Sequence, residues 1–528
     1  MKRIDTSDSF FENFIKDDNL YVDKTKYLYN LIKDDGSYYF LSRPRRFGKS
    51  LTLSTLEAIF KGKRELFKGL YIDSLDYDWK EYPVIHIDFS RCQEDNKEEI
   101  KEWINDILLQ IAKEYKIKLN EKKSYSFNLD QLITKLAKKE KVVVLIDEYD
   151  SLIVHNMNSK YLDEILSVLN GFYAVLKASC EHICFCFITG ITKFTNMGIY
   201  PAMNNLVDIS MSDEYSTMLG YTQKELEENF SDYIEKAVKD QNIDKERYLA
   251  KIEKKYKGYR FSSNGEEEVY NPVSIGLFFS EGGVGFSNYW INTGGSSLIE
   301  DMARDLKFDI TLDISIPVSE DRLRSKDIIQ MIKTEVCKVN FMSLLYQTGY
   351  LTIKKAEAVT EGYLLTLGYP NEEVEEGLTR ILLPLYLGDS TSKYEALRIL
   401  SLLYKGRVNE ALESFKRVYS SIPYNEIVFN KENAWHASFI SMMRLMGADI
   451  VGEVTTNIGR IDAVLTCPNY IYIIEFKFNQ SAEKAIDQIK EKKYYERYLD
   501  TNKKIHLLGI NFSTKEKNIE EWKDEVLR

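Results

Sequence analysis

The sequence predicts an α/β protein with a sheet at each end and a helical middle. Three observations predict it. Residues 38–212 alternate short apolar runs with amphipathic helices, residues 213–420 lose strand signals to helical periodicity, and the last hundred residues return to mixed order. At 528 residues the chain exceeds what one core holds. The expected divisions are 1–212, 213–420 and 421–528.

Composition narrows the class. With 44% hydrophobic and 29% charged residues the chain is an ordinary globular sequence. It contains no apolar run long enough for a membrane span, and Met1-Lys2-Arg3-Ile4-Asp5 places an acid where a signal peptide needs an apolar stretch. Six cysteines without paired spacing indicate reduced thiols and a cytoplasmic location. Cys184 and Cys186 alternate inside an apolar run, as core residues do, and five histidines form no zinc-like cluster. A net charge of -11 excludes a globally basic surface, so any nucleic acid must be met by local basic stripes.

In the first region the expected strands are Tyr38–Ser42, Val84–Phe89, Val142–Asp147, Ile183–Thr189 and Leu206–Ser210. Lys49–Phe60 has helical apolar spacing and opens on the turn Arg43-Pro44-Arg45-Arg46-Phe47-Gly48-Lys49-Ser50. A phosphate-binding loop needs backbone N–H groups free to wrap phosphate, a lysine for the outer phosphates and a hydroxyl for Mg²⁺. Gly48, Lys49 and Ser50 supply these, Arg45 and Arg46 add positive charge, and Arg43 stands where the pattern has its first glycine. The apolar strand ending in Asp147-Glu148 completes an NTP site, with Asp147 placing Mg²⁺ and Glu148 orienting water. Thr189, ending another buried strand, suits a γ-phosphate sensor, and no residue marks itself as an arginine finger.

The middle region reads as helical, with Tyr221–Ala237 and Tyr394–Val418 as examples. The last hundred residues give a helix Glu432–Met446 and strands near Asp449–Thr455, Ile461–Thr466 and Ile471–Phe478. A helix Ala482–Tyr498 and a strand Ile505–Asn511 follow. Period-two geometry puts Glu475 and Lys477 on one strand face, beside Asp462 of Gly459-Arg460-Ile461-Asp462. Two clustered carboxylates bind Mg²⁺ or Mn²⁺ through hard oxygens, and the lysine positions water or phosphate. Glu432, with His436 one turn on, is a candidate to complete the metal shell, Glu453 is its rival, and Gln488 supports the lysine or the water. The ordinary alternative is a solvated Glu-x-Lys strand edge.

These residues resemble a bacterial family of AAA-ATPase-like proteins with a C-terminal PD-(D/E)XK nuclease-superfamily domain. The resemblance rests on Tyr21-Val22-Asp23-Lys24-Thr25, the loop above and Asp147-Glu148-Tyr149-Asp150. It extends through Gly258-Tyr259-Arg260-Phe261, Val269-Tyr270-Asn271-Pro272, Gly459–Asp462, Ile473–Lys477 and Ala485–Ile489. It implies a P-loop NTPase of the additional-strand type, a helical lid and a restriction-endonuclease-like α/β domain. Asp462, Glu475 and Lys477 are then the nuclease residues, Glu432 and Gln488 their helpers, and Arg43 the family's usual residue at its position.

The function expected is an ATP-binding, ATP-hydrolysing protein coupled to a Mg²⁺- or Mn²⁺-dependent endonuclease. DNA is expected in preference to RNA, in a defence or mobile-element setting. Lys490, Lys492, Lys493 and Arg497 are candidate phosphate contacts; the interleaved Tyr494, Tyr495 and Tyr498 pack or stack on bases, packing being the commoner use. The alternatives are a nucleotide-regulated switch that binds DNA or a partner, and a scaffold that cuts nothing. A homo-oligomer stays open, since many such ATPases borrow a neighbour's arginine.

Overall fold

The computed structural model describes residues 1–527 apart from 34–36, 158, 194–202, 204, 294–298, 300–317, 326–337, 361, 388–391, 422–435, 437–438, 441, 444–447 and 456–458. It forms two compact units, Met1–Thr293 with Ile314–Val374, and Gly294–Asp313 with Glu375–Arg528.

The first unit is built on a parallel sheet of β1 (Ser37–Ser42), β2 (Val84–Asp88), β3 (Val142–Asp147), β4 (Ile183–Gly190) and β5 (Val207–Asp208). Their order is β2-β3-β4-β1-β5, so β4 is inserted between the strand that feeds the phosphate loop and the strand that ends in Asp147-Glu148. Every residue of β3 and β4 is buried, as expected of parallel strands covered on both faces. Cys184 and Cys186 are buried in that core, Cys184 Sγ donating to Val142 O at 3.5 Å. Helix Lys49–Phe60 begins at the predicted residue, because Gly48 takes φ +94° as its N-cap, a conformation that favours glycine.

Beyond the sheet the unit is mainly helical. The expected helix Tyr221–Ala237 is two helices, Gln223–Asn229 and Ser231–Gln241, the first opened by a Thr222–Glu225 capping box. With Lys245–Tyr256 and Pro272–Ser280 they enclose an aromatic core of Phe230, Tyr248, Tyr256 and Phe278. An antiparallel sheet of β6 (Val318–Ser319), β7 (Thr352–Val359) and β8 (Gly362–Gly368) interrupts the region read as helical. Most of β7 faces solvent, which leaves it without the alternation that marks a half-buried strand.

The second unit holds β9 (Asp449–Thr455), β10 (Arg460–Thr466), β11 (Tyr470–Phe478), β12 (Lys504–Ser513) and β13 (Asn518–Val526), in the order β13-β12-β11-β10-β9. β11 and β12 pair parallel; the other pairs are antiparallel. β13 was not anticipated: Glu520, Glu521, Lys523, Asp524 and Glu525 make it a charged edge strand. The two faces of β11 enter different cores. Tyr472, Ile474 and Phe476 pack with Phe415 and Phe439; Ile471 and Ile473 pack with Ile486, Ile489 and Tyr494. The expected helix Tyr394–Val418 is two helices, Ser392–Tyr404 and Val408–Ser421, parted at Gly406, which has φ +73°. Both pack beneath the sheet, where Tyr472 Oη donates to Leu403 O at 2.6 Å. The α/β ends and helical middle are those the sequence predicts.

Candidate functional site

At the C-terminal end of the parallel sheet, β1 and β3, with β4 between them, bring the loop and the acid pair within reach of one another. Lys49 is buried, and its Nζ donates to Arg43 O at 3.2 Å and Pro44 O at 3.3 Å while lying 3.5 Å from Glu148 Oε1. Asp147 Oδ1 accepts from Thr189 Oγ1 at 2.5 Å and from Glu148 N at 3.0 Å, and its carboxylate also hydrogen-bonds the Ser50 side chain. Burial, then the charge of Glu148, raises the Asp147 pKa. The structure thus gathers Gly48, Lys49, Ser50, Asp147, Glu148 and Thr189. It gives Thr189 a task the sequence did not suggest, since its hydroxyl is committed to Asp147.

Asp150, the last residue of the Asp147–Asp150 motif, faces the end of β4. Fully buried, its Oδ2 accepts from Ile191 N, Thr192 N and Thr192 Oγ1 at 3.0, 2.7 and 2.7 Å. Burial and the neighbouring Glu148 push its pKa up to about 6. Tyr149 Oη donates to Thr192 O at 2.8 Å, so Asp147-Glu148-Tyr149-Asp150 ties the end of β3 to the end of β4. Glu148, between them, has φ +49°, the left-handed region that a non-glycine residue enters at a cost of about 1–3 kcal/mol. Arg45, Arg46, Gly48, Lys49, Ser50 and Glu148 line a cavity of about 470 Å³, closed further by Tyr21, Lys24 and Tyr221. That volume lies within the roughly 300–1,000 Å³ of small-ligand sites. Arg46 also takes a left-handed φ of +66°.

The second constellation is on the odd-numbered face of β11. Glu475 is buried; its Oε1 accepts from Gln488 Nε2 and lies 3.3 Å from Lys477 Nζ. Lys477 Nζ also donates to Gln488 Oε1 at 2.8 Å and Phe476 O at 3.2 Å. Asp462 Oδ2 accepts from Phe476 N at 2.9 Å, fixing this carboxylate beside β11. Burial, then the charge of Asp462, pushes the Glu475 pKa up to about 7. Glu475 Oε2 is buried without a hydrogen-bond partner among the described residues. A buried carboxylate oxygen in that position is costly unless a proton or cation meets it, and two hard-oxygen donors suit Mg²⁺ or Mn²⁺. Among the described residues no group of three metal-binding side chains gathers. Glu432 lies outside them, and Glu453 is known only as a position in β9. His436 stacks on Phe476 at 4.7 Å, on the other face of β11 from Glu475.

Tyr494, one of the tyrosines expected to pack, also reaches the second constellation. The expected helix Ala482–Tyr498 stops at Glu491. Lys493 adopts φ +48°, Tyr494 N donates to Ile489 O at 3.2 Å and Lys493 N to Lys490 O at 3.1 Å, a Schellman turn that folds the chain back. Tyr494 is thereby buried against Ile489, and its hydroxyl hydrogen-bonds the Gln488 side chain. A Cβ on Gly459 would lie 2.9 Å from Tyr494 Oη, so this close approach fixes the glycine that opens Gly459–Asp462. Of the basic stripe, Lys490 pairs with Glu525 at 2.5 Å and Lys493 with Glu496 at 3.4 Å; exposed pairs of this kind contribute about 0–1 kcal/mol. No helix among the described residues is long and apolar enough to cross a membrane.

Comparison with known proteins finds a family model at each end of the chain. Residues 6–200 match a family model described as predicted AAA-ATPase, and residues 430–522 match one described as PD-(D/E)XK nuclease superfamily. The chain is 31% identical over 514 residues to the "Uncharacterized protein in vnfD 5'region" of Azotobacter chroococcum mcd 1, with 95% of each chain covered. With both domain models in place and a relative aligned over nearly its whole length, the chain belongs to the family of AAA-ATPase-like proteins that carry a C-terminal PD-(D/E)XK nuclease-superfamily domain.

Proposed function

We propose that this chain binds and hydrolyses ATP at the Arg43–Ser50 loop and cleaves DNA, with a divalent metal ion, at the Asp462–Glu475–Lys477 cluster. The observation that carries the reading is the Glu475 carboxyl: one oxygen held by Lys477 and Gln488, the other buried without a partner at full hydrogen-bond geometry among the described residues, with the Asp462 carboxylate and backbone N–H beside it. A salt-bridged strand edge has no use for such an oxygen, whereas a metal site does.

In this reading Gly48, Lys49, Arg45 and Arg46 hold the phosphates, and Ser50 and Asp147 hold Mg²⁺. Thr189 fixes Asp147, and Glu148 leaves Lys49 to orient the attacking water. Asp462 and Glu475, with Glu432 as a further candidate, hold Mg²⁺ or Mn²⁺. Bound there, the ion supplies Lewis acidity and an activated water. Lys477 steadies charge on the scissile phosphate, and Gln488 keeps Lys477 and Glu475 in register. The functional division follows residues 1–212 as ATPase domain, 213–420 as lid and connecting region, and 421–528 as nuclease-like domain. The protein works in the cytoplasm, in defence or mobile-element biology, alone or as a homo-oligomer.

The test is cleavage of plasmid, linear and single-stranded DNA with Mg²⁺ or Mn²⁺, with and without ATP, beside Asp462→Ala, Glu475→Ala and Lys49→Ala. Cutting lost in the first two, and its ATP dependence lost in the third, is the expected result. Nucleotide bound but no DNA cut under any condition would replace this reading with a nucleotide-regulated switch or scaffold.

A further inference from the structure

The loop's first position carries an arginine, and that arginine points away from the cavity. Arg43 is fully buried. Its Nη1 donates to Ser210 O at 2.6 Å and Ser42 O at 2.9 Å, and its Nη2 to Tyr215 O at 3.1 Å. The guanidinium lies 4.1 Å from the Phe261 ring centroid, and Phe261 meets Phe47 of the loop edge-on at 5.3 Å. Three carbonyls take the terminal nitrogens and one aromatic face covers the plane, an arrangement a lysine cannot reproduce, while Nε is buried without a hydrogen-bond partner among the described residues. Burial lowers its pKa to about 10, so it stays charged at neutral pH.

A second support reaches the same loop from another element. Trp290 Nε1 donates to Arg45 O at 3.1 Å, while Trp290 N donates to Glu373 Oε1 at 2.6 Å. Glu373 is buried and its Oε2 accepts from Ser274 Oγ at 2.7 Å, which anchors the tryptophan to helix Pro272–Ser280. Neither Arg43 nor Trp290 lines the 470 Å³ cavity. Between them they hold the residues on either side of Pro44 and, through Phe261, the ring of Phe47. The loop needs such support, since Arg46 sits in a left-handed conformation that only surrounding structure sustains.

We propose that Arg43 and Trp290 are positioning residues that hold the phosphate loop in its binding conformation from behind; this rests on the nucleotide-binding reading above. The arginine is then no decayed glycine but a tertiary brace that replaces the glycine's local role. Preorganisation of this kind acts on affinity, because the free loop has less freedom to lose when ligand binds.

The test is ATP affinity by calorimetry on the full chain, with thermal melting alongside, for wild type, Arg43→Gly, Arg43→Lys, Trp290→Phe and Lys49→Ala. Arg43→Gly restores the usual glycine yet is expected to weaken binding at least about tenfold, and Arg43→Lys not to rescue it. Trp290→Phe keeps a six-membered aromatic ring but removes the pyrrole ring with its N–H donor, so affinity should fall about three- to tenfold, more than any fall in Tm explains. A merely structural role would lower Tm without moving Kd in the folded fraction. Binding by Trp290→Phe or by folded Arg43→Gly within twofold of wild type, while Lys49→Ala loses binding, overturns the brace alone. If Arg43→Gly does not fold, Trp290→Phe decides by the same threshold. A wild type that binds no nucleotide removes the nucleotide reading and the brace with it.

Discussion

Both halves of this protein place buried carboxylates beside a lysine, yet they satisfy them differently. At the phosphate loop Asp147 Oδ1 is met by a hydroxyl and an amide, Asp150 Oδ2 by two amides and a hydroxyl, and Lys49 rests on two loop carbonyls. On β11 the Lys477–Gln488 pair satisfies one oxygen of Glu475 and leaves the other without a hydrogen-bond partner among the described residues. A ligand at the first site must compete with contacts the protein already makes. The second has a demand that a proton or a cation must meet, because an unpaired buried carboxylate is costly.

The largest effects should separate the two sites. Asp462→Ala and Glu475→Ala are expected to reduce cleavage by about 10³-fold or more while ATP affinity stays within twofold. Lys49→Ala should instead weaken ATP binding by about 10–100-fold through loss of charge-assisted hydrogen bonds, and leave cleavage without its ATP dependence. Nucleotide calorimetry and a cleavage assay on the same preparations check both. A metal-site variant that altered ATP affinity more than about fivefold would mean that the two sites are not separable.

The next effect is a pH dependence of the second site. Glu475 titrates in the folded protein at about 7, against an ordinary value near 4.5. A carboxyl whose folded pKa is raised lets the unfolded chain ionise first, so the metal-free fold loses stability as pH rises from 4.5 to about 7. Removing that charge should reverse the loss: Glu475→Gln is expected to raise the metal-free Tm at pH 8 and leave it unchanged at pH 4. Metal binding has to displace the same proton, so Mn²⁺ affinity should fall up to about tenfold per pH unit below about 7. Equal Mn²⁺ affinities at pH 6 and pH 8 would contradict this, as would no rise in Tm for the glutamine variant.

Local patterns made the central residues of both sites legible in the sequence, for physical reasons. Strand-ending acids and a loop-opening lysine are local patterns, so Gly48, Lys49, Ser50, Asp147 and Glu148 were readable together, as were Asp462, Glu475 and Lys477 from period-two geometry. The parallel sheet was legible because fully buried strands read as continuous apolar runs; β7 and β13, exposed or highly charged, were not. Roles that depend on distant partners were hidden. Arg43 acts through Ser210, Tyr215 and Phe261, Asp150 through Thr192, and Tyr494 through Gly459 and Gln488. Tyr494 was obscured further because helical periodicity continues past Glu491, and only the turn at Lys493 brings its hydroxyl back.

That turn gives the smallest effect and the finest comparison. Glu148 at φ +49° and Lys493 at φ +48° adopt the same left-handed backbone, one in each site. In the first the strained residue itself carries chemistry, since its carboxylate faces Lys49 at 3.5 Å. In the second the backbone bend matters, because it aims Tyr494, while the lysine ends at Glu496 on the surface. Glycine relieves the left-handed conformation in both but adds freedom to the unfolded chain, so Lys493→Gly should stabilise by about 0.5 kcal/mol, with cleavage within twofold of wild type. Glu148→Gly, relieved in the same way, should lose ATP turnover, because the carboxylate that faces Lys49 is gone. Urea melts and the two assays read both results. Slower cleavage by Lys493→Gly with unchanged or higher stability would show that the lysine's charge, and not the bend, is what the second site uses at this position, most simply to meet a phosphate of the nucleic acid.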